Sequence, residues 1–202
     1  MQLLVQNCNL VIAGGWNPHI VLQPNWLREF LFPDVEDFEI ESFGIGPIIN
    51  PTVKAGNYVI SSNGSRLTIG NRKDHVNWED GLQDVATKVA NFLPHTPVSA
   101  VGFNYDVEFT KEEVGDLKYE SPFGHAVDSP SLEMQFHESF DLGTGQLNVR
   151  LIVHESGPNP LLKVNYHYPI KKIAGVKAIL DEASVLEQRN KAEELASRIL
   201  EK

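Results

Sequence analysis

Three segments in the second half of the chain alternate hydrophobic with polar residues. They read SLEMQFHESF (131–140), QLNVRLIVHE (146–155) and LLKVNYHY (161–168), and the turn sequences LGTG and GPNP separate them. Alternation of this kind places successive side chains of a β-strand on opposite faces of a sheet. The pattern therefore predicts three neighbouring antiparallel strands with one apolar and one polar face.

The first half of the chain carries its own local signals. In NYVISSNGSRLTIG (57–70), the pair Asn63-Gly64 stands between two alternating runs and is typical of a tight hairpin turn. From Asn77 onward, apolar residues recur at spacings of three and four until Pro94. This spacing predicts an amphipathic helix with Asn77 as its N-cap.

The remaining segments supply the other predicted strands and helices. We expect a strand over 2–13, a short helix over 25–31, an acidic edge strand over 35–43, a strand over 98–109, a helical turn from Thr110 and helical sequence over about 171–202. Each half then reads strand, helix, two or three strands, helix. The chain is therefore predicted to be one α+β domain, 1–202, whose pseudo-halves of about 1–95 and 96–202 form one curved antiparallel sheet with helices on one face.

Part of this layout is similar to that of a known family. The hairpin SSNGSRLTIG, the tryptophan-bearing helix that follows and the strand VSAVGFNYDVEF resemble, in their order, a sporadically distributed family of uncharacterised bacterial proteins. The resemblance covers about a quarter of the chain and implies no activity. The order of elements also resembles the duplicated saddle of the TATA-binding protein, but the acidic composition argues against DNA binding.

The composition of the chain argues against several classes of protein. The 202 residues are 42% hydrophobic, and 27 acidic against 17 basic residues give a net charge of −10, which disfavours binding to nucleic acid or to anionic lipid. Cys8 is the single cysteine, so an intramolecular disulfide and a multi-cysteine zinc site are excluded. The sequence has no apolar run long enough for a membrane span and no signal peptide is predicted. We expect a soluble, cytoplasmic protein.

Sequence motifs for common chemistry are missing. The chain has no phosphate-binding P-loop, no HExxH, no GxSxG and no dinucleotide fingerprint. No cofactor is predicted, and whether the protein is an enzyme stays open.

The polar face of the predicted sheet supplies the candidate site. Alternation places on it the residues Glu133, Gln135, His137, Ser139, Asn148, Arg150, His154, Lys163, Asn165 and His167, together with Asn104, Asp106 and Glu108. If apolar residues face apolar residues, His137 lies opposite Arg150 and Arg150 lies opposite His167. Likewise, Glu133 lies opposite His154 and His154 lies opposite Lys163. A row of His137, Arg150 and His167 about 5 Å apart has the chemistry to hold an anion.

Three interpretations of this face stay open. A solvated sheet surface needs polar residues without any further role, and this is the simplest interpretation. A ligand site would use His137, Arg150, His154, His167 and Asp106. A metal, if bound, would take His137, His154, His167 and Asp106, although the cation of Arg150 makes this a poor metal site.

The terminal helical sequence offers a second lead. Its apolar stripe is interrupted by the polar window 187–191, so the helix either breaks near Asn190 and folds back or projects toward a partner helix. We therefore expect a binding or interaction protein that self-associates, or binds a protein partner, through this helix. The alternative is a small-molecule enzyme acting on an anionic substrate at the polar face.

Overall fold

The computed structural model describes residues 1–36, 38–43, 50–114, 133–154 and 158–200. The strands are β1 (Gln2–Leu3), β2 (Asn9–Gly14), β3 (Phe38–Phe43), β4 (Asn50–Ala55), β5 (Tyr58–Ser62), β6 (Arg66–Asn71), β7 (Val98–Glu108), β8 (Glu133–Asp141), β9 (Gln146–His154) and β10 (Leu161–Pro169). The helices are α1 (Pro18–Val21), α2 (Pro24–Trp26), α3 (Trp78–Phe92), α4 (Lys111–Val114), α5 (Ala174–Glu182) and α6 (Val185–Leu200). A π-helical turn, Leu27–Leu31, continues α2.

The ten strands form one curved antiparallel sheet. Its order is β3-β4-β5-β6-β2-β7-β10-β9-β8, and β1 pairs with β7. The central neighbours β2 and β7 are each followed by a helical segment and then by strands that lead back to them, so β6 lies beside β2 and β10 beside β7. The predicted α+β architecture is confirmed, and the division into halves near residue 95 stays a prediction.

The helices cover one face of the sheet, where the hydrophobic core lies. Alternate residues of the central strands, such as Ile12 and Phe103, are buried there. Helix α3 supplies Leu82, Val85 and Val89, all buried, and it contacts β2 and β6. Each such side chain contributes about 1.5–3 kcal/mol by leaving water. A charge at position 89 would therefore disrupt the packing of α3 on the sheet.

The first predicted strand is interrupted. A 3-10 turn at Val5–Asn7 separates β1 from β2, so the expectation of one strand over 2–13 is wrong. The polar pair Gln6-Asn7 is exposed at this turn, and the Nδ2 of Asn7 donates to a carboxylate oxygen of Asp106 at 3.1 Å. The turn thus brings a side chain from outside β2 onto the polar face of β7.

The terminal helical sequence breaks at Ala183 and Ser184, and the expected break near Asn190 is wrong. The hydroxyl of Ser184 accepts a hydrogen bond from the backbone N–H of Glu187, which is the N-cap arrangement that starts a new helix. After the break, α6 contacts β7, β10 and α3. Its buried positions are Val185, Gln188, Ala192 and Ala196. One residue of the polar window 187–191, Gln188, is therefore buried. The small side chains of Ala192 and Ala196 allow the helix to lie close to the sheet.

Candidate functional site

The uncovered face of the sheet is polar in its second half, as the alternation predicts. In β10, Leu162, Val164 and Tyr166 are buried beneath the helices, whereas His167 is exposed. In β9, Arg150 is exposed and its neighbour Leu151 is half-buried. We call this uncovered surface of β2, β7, β10, β9 and β8 the polar face.

The pairing of β8 with β9 follows the predicted register. His137 lies opposite Arg150, and Glu133 lies opposite His154. The backbones of His137 and His154 are described, and their side chains lie outside the described part of the structure.

The pairing of β9 with β10 differs from the prediction. Arg150 lies opposite Lys163 and not His167, and His167 lies opposite Gln146. His154 lies beyond the last paired residue of β9, so its expected pairing with Lys163 is also wrong. The observed register is shifted by four residues, from position 167 to 163. An even shift keeps every side chain on the same face, so hydrophobic alternation alone cannot distinguish the two registers.

The expected row of two histidines around Arg150 is therefore not formed. His137 and His167 lie on strands separated by β9, and they are offset along the strands by four residues, or roughly 13 Å. Within the described ranges, no group of three or more His, Cys, Asp or Glu side chains is placed to hold a metal ion.

The row that does form crosses four strands. His137, Arg150, Lys163 and Asp106 occupy successive paired positions on β8, β9, β10 and β7. The Nζ of Lys163 lies 3.1 Å from Oδ2 of Asp106. The Asp106 side chain is 10% exposed and that of Lys163 is 44% exposed, so the carboxylate is shielded while the ammonium still faces solvent beside Arg150.

A second row, of asparagines, runs next to the first. It consists of Asn148, Asn165, Asn104 and Asn9 on β9, β10, β7 and β2, and we call it the amide row. The Nδ2 of Asn148 donates to Oδ1 of Asn165 at 3.1 Å, and Asn165 donates to Asn104 at 2.8 Å. Asn104 then donates to Asn9 at 2.8 Å.

The amide row is extended at both ends. The hydroxyl of Ser139 on β8 donates to Oδ1 of Asn148 at 2.8 Å, and Asn9 donates to the backbone carbonyl of Asn7 at 2.9 Å. Every donor in the row thus points in the same direction across the sheet. An amide side chain has two N–H donors and two acceptor lone pairs. Each member of the row therefore keeps one donor and one acceptor for a ligand or for water, and all four are half-exposed.

The amide row lines a recess of about 500 Å³ on the polar face together with three members of the first row, Arg150, Lys163 and Asp106. We call it the sheet recess. Its described lining holds five asparagines, the cations Arg150 and Lys163, the carboxylate of Asp106, and Val149 and Val164. Two cations against one carboxylate make this recess locally positive in a chain whose net charge is −10. The described lining contains no Ser, Thr, Cys or His. Its amide, cationic and carboxylate side chains have the chemistry to bind a polar ligand.

Of the predicted ligand residues, Arg150 and Asp106 line the sheet recess, and the role of the histidines stays a prediction. Asn104, Asn148 and Asn165 are expected on the polar face from the alternation, but the sequence does not mark them as site residues. A usable signal was present in the near-repeat of FNYDV (103–107) and VNYHY (164–168), which puts Asn104 and Asn165 at equivalent positions. Asn9 had no such signal, because only the pairing of β2 with β7 brings it into the row.

No protein-family model matches the chain, and comparison with curated proteins finds no match. The similarity in layout to a family of uncharacterised bacterial proteins stays a prediction. Among the residues that the structure describes, no helix is both long enough and apolar enough to cross a membrane.

Proposed function

We propose that this protein binds a small, hydroxyl-rich anion, of the chemistry of a sugar phosphate, in the sheet recess. The observation that carries the proposal is the position of the amide row, which lies directly beside the cations Arg150 and Lys163 in one recess. The two rows are two residues apart along each strand, or about 7 Å. One ligand of modest size can therefore contact both.

The two rows have complementary chemistry. Guanidinium and ammonium groups bind phosphate or carboxylate through charge-assisted hydrogen bonds. A hydroxyl group both donates and accepts, so it matches an amide that has one donor and one acceptor to spare. In this proposal Arg150 and Lys163 hold the anionic group, while Asn104 and Asn165 hold hydroxyls.

Binding is favoured over catalysis. The alternative of a small-molecule enzyme uses His137, Arg150, His154 and His167, and it loses support because His167 is offset by four residues from the row of His137 and Arg150. Self-association through the terminal helix stays a prediction, which light scattering of the intact chain would test. The proposed compartment is the cytoplasm, because the one cysteine excludes intramolecular disulfides and suits a reducing environment.

The test is isothermal titration calorimetry with three matched probes: glucose 6-phosphate, inorganic phosphate and glucose. We expect glucose 6-phosphate to bind at least tenfold more tightly than phosphate, and glucose to bind most weakly. Arg150→Gln should weaken the binding of glucose 6-phosphate and of inorganic phosphate at least tenfold. Asn165→Ala should weaken the binding of glucose 6-phosphate and leave the affinity for inorganic phosphate unchanged.

The matched control is Arg66→Gln. Arg66 is an exposed arginine on β6, opposite Ala13 and on the same face of the sheet, but outside the recess. Its substitution should leave all three affinities unchanged. Equal losses from Arg66→Gln and Arg150→Gln, or no binding of glucose 6-phosphate at millimolar concentration, would contradict the proposal.

A further inference from the structure

A second recess lies on the opposite, helix-covered side of the sheet. It has a volume of about 420 Å³ and is bounded by β9, β10 and α6, and we call it the helix recess. Leu147, Leu195 and the rings of Tyr166 and Tyr168 contribute apolar surface to it, and charged residues of α5 and α6 form its rim. With both tyrosines counted as apolar, half of its twelve lining residues are apolar and half are polar or charged, so the recess offers apolar surface and hydrogen-bonding groups to a small molecule.

One buried polar atom at this recess has no hydrogen-bond partner among the described residues. Gln188 is 1% exposed and lines the recess. Its Oε1 accepts a hydrogen bond from the hydroxyl of Tyr168 at 3.3 Å. Its Nε2 is buried and has no hydrogen-bond partner among the described residues. Buried polar groups are almost always paired, so an orphaned amide nitrogen requires an explanation.

The position of Gln188 on the helix is unusual for a polar residue. It occupies the stripe of α6 that faces the sheet, between Val185 and Ala192, where an apolar residue would satisfy the packing. Reversing the amide does not remove the problem. The hydroxyl of Tyr168 can donate or accept, so it would then pair with the nitrogen and leave the oxygen alone.

We propose that the helix recess binds a small uncharged molecule with an aromatic body and a carboxamide group. The side chain of Gln188 turns from its buried position toward the recess, and its free end pairs with the amide of the ligand. The aromatic body packs against Leu147, Leu195 and the ring of Tyr166. A carboxamide carries both a donor and an acceptor, so it complements Gln188 in either orientation. The rim of the recess holds Glu182 and Glu194 together with Lys191 and Arg198, and this balance of charge favours a neutral ligand.

The proposal is tested by two-dimensional NMR titration of the full chain with benzamide and with toluene, which lacks the amide. We expect benzamide to shift the side-chain amide of Gln188 and the methyl groups of Leu147 and Leu195, and to bind at least tenfold more tightly than toluene. In Gln188→Leu this preference should disappear. Toluene binding by that variant should persist, which shows that the recess is intact.

The control is Gln146→Leu, because Gln146 is exposed and lies outside the helix recess. It should leave the preference for benzamide unchanged. The proposal is overturned if neither probe binds at millimolar concentration, which would mean that water alone occupies the recess. It is also overturned if Gln188→Leu retains the preference. The variants and probes differ from those of the sheet recess, so either proposal can fail alone.

Discussion

Asn165 donates a 2.8 Å hydrogen bond from its Nδ2 to Oδ1 of Asn104, the residue directly opposite it across β10 and β7. The two asparagines occupy the same position in VNYHY and FNYDV, so the near-repeat in the sequence becomes a contact in the fold. Their backbones are also adjacent to Gly102, where an added Cβ would lie 3.4 Å from the Nδ2 of Asn165. A Cβ at this distance would make an ordinary van der Waals contact, so the amide of Asn165 lies close to the backbone of β7.

The first prediction concerns the strength of this contact. Asn104→Ala and Asn165→Ala should each lower the free energy of unfolding by about 1 kcal/mol, because both amides are half-exposed and water replaces part of the lost bond. The double variant should cost about 0.5–1 kcal/mol less than the sum of the two. Urea denaturation of the four proteins measures the coupling. Additive effects would show that the amides do not stabilise each other.

The second prediction concerns the carboxylate in the sheet recess. The carboxylate of Asp106 forms an ion pair with the ammonium of Lys163. The neutral side chain of Asp106→Asn should leave that ammonium available to bind an anion. We expect inorganic phosphate to bind about three- to tenfold more tightly to this variant, since Asp106 no longer opposes it. Asp141→Asn is the control, because Asp141 is an exposed carboxylate that lies outside the recess. Weaker phosphate binding by Asp106→Asn would mean that the carboxylate holds Lys163 in place for the ligand.

The third prediction concerns the attachment of α6 to α3. The Nη1 of Arg189 lies 2.5 Å from Oε1 of Glu79, whose side chain is 8% exposed. Arg189→Met leaves that carboxylate buried without its cation and should cost about 3 kcal/mol. Combining it with Glu79→Leu should restore most of this loss, because the buried charge is removed as well. A double variant that is less stable than Arg189→Met, as measured by thermal and urea unfolding, would contradict this account of the ion pair.

The fourth prediction concerns pH. Burial raises the pKa of the Cys8 thiol from 9.0 to about 12, so above pH 9 the unfolded thiol ionises while the folded thiol stays protonated. The contribution of the buried, protonated thiol to the free energy of unfolding is fully present below pH 9, and it is lost as the pH rises toward 12. At pH 10 the advantage of the wild type over Cys8→Ala should be about 1 kcal/mol smaller than at pH 7.5. The other titrating groups are the same in both proteins, so their effects cancel in the comparison. If the difference in the free energy of unfolding between the two proteins is the same at pH 7.5 and pH 10, the pKa of Cys8 is not raised.

Much of the fold follows from local patterns in the sequence. Alternation in β9 and β10, the Asn63-Gly64 turn and the apolar spacing of α3 each describe interactions within a few residues, and each was predicted correctly. The register of β9 on β10 depends on where the chain turns, and an even shift leaves the alternation unchanged. The polar window 187–191 indicates a break near Asn190, whereas the helix breaks at Ala183 and Ser184 and Gln188 in that window is buried. Its burial depends on contact with Tyr168, which lies on another element.

The candidate site depends on pairings that sequence leaves undetermined. Arg150 and Lys163 meet only in the observed register, and Asn9 joins the amide row only because β2 and β7 are central neighbours. Residue types on the polar face could be predicted, but which of them are adjacent could not. The pattern alone therefore gives no reason to prefer the asparagines to the histidines.

The most direct test of the central claim is an NMR titration that follows the side-chain amides of Asn9, Asn104, Asn148 and Asn165 during addition of glucose 6-phosphate. The account predicts saturable shifts of these four amides together with the guanidinium of Arg150, and none at Gln188 or Arg66. Saturable shifts confined to other surfaces, or no shift of the amide row at a concentration where the probe binds, would contradict it.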